Sequence, residues 1–313
     1  MYLLSEMNIF PAMLLLSLWG LTGWLIVSAV FEKQIAPNER GLIGIGLGLV
    51  VCTFLANWFA RFLPSGSAFW GAGLIGVMLG FLVLLPKFLG KTELPKKNLI
   101  KSVLSTLFPI DSIQLQTWFF FILFSIIFTL IGRGFGFFDD HQNLAPVSIM
   151  ATGDIPPHFS YNPSLGFGYH YFLLLVAAQF VKLSNAGPWT ALDLARGISL
   201  ALTLTYGSYL SFRITRNKTA QFFTVIFMAF AGGARWLFFF LPSSLQKQLS
   251  SSITLIGSGA VTGPNLITAL YKNWKIEGLG PIPFPFVFGS GLDSSMSMLH
   301  NGWGTSSIMI VLL

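Results

Sequence analysis

Charge is scarce in this sequence. Asp, Glu, Lys and Arg together make up 9% of the 313 residues, against about 25% in a soluble domain. A surface so poor in charge cannot be wetted all round, which excludes an ordinary water-soluble globule. Cysteine is scarcer still. Cys52 stands alone, so no intrachain disulfide can form and no zinc site can be built from thiolates. Its place inside an apolar run makes it a small packing residue. The first apolar run has no Lys/Arg-rich segment before it and no small-residue cleavage site after it, so it reads as a retained helix. Several reaction motifs are missing as well. There is no His-Glu-x-x-His and no Gly-x-Ser-x-Gly. Gly132-x-Gly134-x-Gly136 follows an apolar run and lacks the downstream spacing of a nucleotide loop.

Apolar residues are what the chain has in abundance. They fill 54% of the positions, Phe alone occurs 32 times, and the mean hydropathy is +0.72. Seven apolar stretches stand out, at 9–30, 41–62, 67–86, 115–132, 169–184, 190–212 and 219–241, and an eighth begins near 302. Several reach the roughly 20 residues that a helix needs to cross hydrocarbon. The expectation is an all-α, polytopic transmembrane protein of about 7–8 spans, multi-pass in a lipid bilayer. The net charge of +7 and pI near 9.6 do not point to nucleic acid, because the basic residues sit in short connections between apolar runs. There they orient helices. The last run stops at Leu313 without a polar exit, which raises the expectation of further sequence, or of a partner chain supplying the missing C-terminal helices.

The chain divides into three parts. Residues 1–114 hold N-terminal helices and a basic loop, 115–241 a core with an acidic loop at 133–168, and 242–313 a second polar stretch and the final run. Both long connections, 133–168 and 242–300, read as non-helical. Connections of that length inside a compact fold are usually functional or disordered, and the first is too aromatic for an ordinary linker. Lys87, Lys91, Lys96, Lys97 and Lys101 mark the cytoplasmic side, which places 133–168 on the extracytoplasmic side. Simple alternation then sends Arg213, Arg216 and Lys218 outside as well, against the same rule. A re-entrant or tilted 169–184 would remove the conflict; otherwise the basic turn breaks the rule.

The loop and the helix start that follows it hold three of the six aspartates and three of the four histidines. Asp139 and Asp140 adjoin one another after Gly132-Arg133-Gly134-Phe135-Gly136-Phe137-Phe138, with His141 next. Adjacent carboxylates at the mouth of a membrane helix suit a divalent metal or the deprotonation of a hydroxyl, and they equally suit a solvated acidic cap. Further on come Gly153-Asp154-Ile155-Pro156-Pro157-His158 and Gly168-Tyr169-His170-Tyr171. Tyr169, His170 and Tyr171 fit a site or simple interface anchoring. Arg196 lies in an apolar run, where a cation needs an acid or a phosphate beside it.

Taken in order, these motifs resemble the GT-C superfamily of integral-membrane glycosyltransferases. The resemblance rests on a spanning helix, an acidic pair, a Gly-Asp-x-Pro-Pro stretch and an aromatic segment re-entering the membrane. Ala195-Arg196-Gly197-Ile198-Ser199 with Tyr206 and Arg213 is similar to the Ala-Arg-x-x-Ser helix of the mannosyl- and aminoarabinose-transferase branch. Tyr169-His170-Tyr171 is similar to an element of uncharacterised bacterial membrane proteins. The likeness covers roughly 115–240. It implies transfer of a sugar from a polyprenyl-phosphate donor to an extracytoplasmic acceptor at the bacterial plasma membrane, in a long first catalytic loop. By it, Asp139 is the base and Asp140 the second acid, where that branch usually has Glu. Asp154, His158, Tyr169, His170 and Arg196 become substrate contacts, and Asp139, Asp140 and His141 a ligand set for Mg or Mn. Two other functions compete, a transporter or channel subunit and a non-catalytic membrane assembly subunit.

Overall fold

The computed structural model describes residues 7–89, 112–135, 138–167, 171–230 and 242–250, with the side chains of 87–89, 112–114, 131–135, 138–142, 229–230, 246–247 and 249–250 outside that description. The first three helices are α1 (Ile9–Val30), α2 (Arg40–Phe59) and α3 (Ser65–Leu89). They are long and apolar enough to cross a membrane. A 22-residue helix such as α1 is about 33 Å long, close to the roughly 30 Å hydrocarbon core. Lipid is as apolar as leucine, so burial of apolar surface does not hold such helices together; close packing must. Glycine provides it here. A Cβ at Gly48 of α2 would fall on the Trp19 carbonyl oxygen, and one at Gly23 of α1 on the Gly44 carbonyl oxygen. The two backbones therefore touch.

These contacts set directions. Gly23 of α1 meets Gly44 and Gly48, while Gly20 meets Ile45, and the short 31–39 connection makes α1 and α2 antiparallel. Gly73, Gly76 and Gly80 of α3 lie against Leu18, Thr22 and Leu25 in that order, so α3 runs with α1. One end of the bundle thus holds the start of α1, the end of α2 and the start of α3. The other, the basic end, holds Lys33, Arg40 and the end of α3.

Two further helices run end to end with this trio. In α4 (Ser112–Phe135) the Trp118 ring lies against Gly41, at the basic end. In α7 (Pro188–Thr215) Gly197 meets Ser125 and Thr129 of α4. The Tyr206 hydroxyl donates to the Leu42 carbonyl at 2.9 Å, and Arg213 ion-pairs with Glu39. This helix therefore descends to the basic end, antiparallel to α4. Every residue from Ala195 to Leu204 is buried, which makes α7 the centre of the second half. At its foot α8 (Lys218–Phe230) turns back along it, with Gln221 donating to Ser208 and Thr224 to Ser211, both at 2.8 Å.

The intervening elements form a layer over the opposite end. They are α5 (Phe138–Thr152), a short antiparallel hairpin of β1 (His158–Phe159) and β2 (Asn162–Gly166), and α6 (Phe172–Ser184). The non-helical loop expected over 133–168 is thus corrected: most of it is helix and hairpin. Helix formation there satisfies backbone groups that a loop beside a membrane would leave unpaired. The end of α5 is pinned to the start of α3, because Ser65 Oγ donates to the Ala151 carbonyl at 2.9 Å.

The run 169–184 follows the re-entrant alternative, for α6 begins and ends at the same end of the bundle. Its first turn is tied to the end of α2, where the Tyr171 hydroxyl donates to Asn57 Oδ1 at 2.9 Å. Its last residue is tied to the start of α1, where the Asn8 N–H donates to the Ser184 carbonyl at 2.7 Å. Both ends belong to the same end of the bundle. Thirteen residues reach only about 20 Å, and Leu173 through Phe180 are all buried. That is the pattern of a helix packed inside protein rather than against lipid. Asn185 in the left-handed region closes α6, and Pro188 opens α7. Because α6 returns to the end it left, Arg213, Arg216 and Lys218 fall at the basic end with Lys33, Arg40 and the position of Lys87. The alternation conflict disappears. In the second long connection, expected to be non-helical, α9 (Ser243–Ser250) is helical; the rest of it, and the run beginning near 302, lie outside the described residues.

Candidate functional site

The chemistry-bearing residues gather at the layered end. Positions 139–141 form part of the first turn of α5, where the helix dipole favours acids by about 0.3–1 kcal/mol. That explains part of their presence without any site. Three consecutive helical positions step by about 100° around the axis, and neighbours at i, i+1 and i+2 do not share a face. Positions 139, 140 and 141 follow one another in that turn, and their side chains lie outside the description. Among the described residues no three His, Cys, Asp or Glu side chains come together.

Asp154 and His158 are brought together. Gly153 closes α5 with φ +120°, a conformation open to glycine, and its N–H donates back to the Ile149 and Met150 carbonyls. Asp154 follows at once, and the Pro156-Pro157 pair stiffens the chain into β1. The Phe167 N–H donates to the Pro157 carbonyl at 2.8 Å, and the Phe159 and Phe167 rings meet edge to face at 5.4 Å. His158 is thereby set. Its backbone N–H donates to Asp154 Oδ2 at 2.8 Å, and its ring Nδ1 lies 2.7 Å from Oδ1.

The backbone of α5 sets the two groups of candidates apart. From position 139 to the end of the helix at Thr152 the rise is about 20 Å. Asp154 and His158 thus stand at one end of the helix and the Asp139–Asp140 pair at the other. A loop could have folded both sets into one pocket; a helix cannot. Tyr169 and His170 lie outside the described residues. Tyr171, beside them, is spent on Asn57.

Arg196 is buried on α7, as the cost of a cation in an apolar helix requires, and it is engaged by a partner. Asp193 was not anticipated. It is fully buried three residues before Arg196 and is likewise engaged. The spacing Asp193-x-x-Arg196 on an apolar helix was the available signal, since residues three apart are neighbours on a helix surface. Below them Ser199 and Thr203 give their hydroxyls to the carbonyls of Ala195 and Ser199. A second buried contact joins Gln179 Nε2 of α6 to Thr53 of α2 at 3.3 Å, fixing the layer onto the membrane helices. Compared with known protein families, curated proteins and solved structures, the chain matches none.

Proposed function

We propose that this chain is a membrane glycosyltransferase that takes a sugar from a polyprenyl-phosphate donor and passes it to an acceptor at the layered end of the bundle. The observation that supports this reading is where the polar residues stand. The acid-bearing start of α5 and the Asp154–His158 pair belong to the layered end, and the buried Asp193 and Arg196 lie in the half of α7 nearest to it, in an otherwise apolar bundle. A donor anchored in lipid and an acceptor arriving from water can meet only at such an end.

In the reaction the acceptor oxygen bonds to the anomeric carbon as the bond from that carbon to the donor phosphate breaks. The hydroxyl proton passes to Asp139, and polyprenyl phosphate leaves as the anion. Asp140 orients the acceptor beside it. Charge developing on the leaving phosphate calls for a cation, and Arg196 is a buried cation among the described residues. The test is incorporation of label from a panel of polyprenyl-phosphate sugars into membrane acceptors, comparing the natural protein with Asp139→Asn. No transfer with any donor by a folded, full-length protein would turn the assignment toward a transporter or an assembly subunit.

We further propose that α4 and α7 cross the membrane together with α1–α3, that the basic end faces the cytoplasm, and that the layered end is extracytoplasmic. The basic end carries Lys33, Arg40, Arg213, Arg216 and Lys218, a concentration that the positive-inside rule places in the cytoplasm. The single native cysteine makes this testable. Cys52 is fully buried and should stay silent to an impermeant maleimide. In intact cells Tyr161→Cys on the hairpin should label, whereas Lys33→Cys and Arg216→Cys should label only after permeabilisation. Labelling of Arg216→Cys from outside would mean that α6 crosses after all.

A further inference from the structure

We infer that the Asp154–His158 pair and the exposed rings of its hairpin form a saccharide-binding subsite, separate from the acid pair and suited to an elongated acceptor. The inference rests on the glycosyltransferase reading. Both oxygens of Asp154 are taken by His158, one by its backbone N–H and one by its ring. An ionised carboxylate only accepts, so Nδ1 must carry a proton. In the neutral ring Nε2 is then left as an acceptor. No described residue bonds to Nε2, and the His158 side chain is 45% exposed. An oriented imidazole thus offers a lone pair to an incoming hydroxyl.

The surroundings select the ligand class. Phe159 is 46% exposed and Tyr161 wholly so, on the same hairpin. Exposed aromatic rings on the hairpin that also carries a hydrogen-bond acceptor match a sugar, which has C–H faces and hydroxyl edges. An anionic phosphate would meet the Asp154 carboxylate, which repels it. The length of α5 decides the rest. With about 20 Å between the two ends of that helix, this subsite does not hold the reacting hydroxyl. It holds a remote part of the same acceptor, whose binding energy can be used to position the reacting end. The acceptor is therefore an oligosaccharide or a longer glycan.

Nitrogen-15 histidine spectra of the protein in nanodiscs test both halves. The chain has only four histidines, so His158→Gln identifies the signal by subtraction. Under mildly alkaline conditions His158 should show the Nδ1–H tautomer, and Asp154→Asn should lose it. Maltohexaose, cellohexaose and mannohexaose are then added, each against its monosaccharide. At least one hexasaccharide should shift the Nε2 signal where its monosaccharide does not, and should bind about tenfold more weakly to a correctly folded Asp154→Asn protein. A protonated Nε2, or no shift with any of the three, overturns the subsite. No donor takes part, so the two readings fail separately. Sugar transfer without a shift rejects the subsite alone, and a shift without transfer rejects the transferase alone.

Discussion

Asp139→Asn should lower the rate of sugar transfer by about 10²–10⁴-fold while leaving the protein folded and inserted. The range is that of a positioned general base. The substitution removes the negative charge and the proton-accepting oxygen together, but keeps size and shape. Its cost to the fold is small. The helix dipole interaction lost at the first turn of α5 is about 0.3–1 kcal/mol, and Asn is itself well suited to a helix start. Loss of activity with an unchanged melting temperature would thus report chemistry, not misfolding. Asp140→Asn is the internal comparison. Position 140 is turned about 100° from position 139 around the helix, so the two carboxylates are not interchangeable, and an orienting role predicts a smaller loss. Equal, full activity in both variants would show the acids to be a helix start and nothing more.

Gly48→Ala should cost most of the fold's stability, whereas Gly71→Ala should cost none. Both changes add one methyl group to a glycine within a membrane helix. At Gly48 that methyl would land on the Trp19 carbonyl oxygen, with the Gly23 nitrogen of the same helix next to it, whereas at Gly71 nothing lies within 4 Å. Backbone atoms cannot rotate away as a side chain can. The α1 and α2 axes must separate, which forfeits the close contact that membrane helices depend on. The cost belongs at or above the upper limit of the about 1–3 kcal/mol usual for overpacking. The comparison is read by thermal unfolding and size-exclusion profile in one detergent. If Gly48→Ala melts with the natural protein, the α1–α2 contact is not what holds the first half together.

The sequence was most informative where composition alone decides. Runs of 20 or more apolar residues have one stable form in hydrocarbon, a helix with its own hydrogen bonds satisfied, and α1–α3 form almost where the runs at 9–30, 41–62 and 67–86 place them. Apolarity was a poorer guide at 169–184. Burial inside protein and burial in lipid call for the same residues, so the stretch itself does not say whether it crosses; the conflict of Arg213, Arg216 and Lys218 with simple alternation left a return as one of the readings. Two hydrogen bonds at its ends, to Asn57 and Asn8, make that decision.

At the site, residue types were legible and distances were not. Asp154, His158 and Arg196 stand out in a chain so poor in polar groups, and the first two do meet. Their separation from Asp139 was hidden, because nearness in sequence becomes about 20 Å in space only once the intervening segment is known to be helix. By itself the sequence determined that this chain is a membrane protein and which few residues could carry chemistry, since the cost of exposing apolar surface to water and polar groups to lipid is local and additive. Only the tertiary structure decided which helices turn back and which acids share an end, because those depend on contacts between segments far apart along the chain.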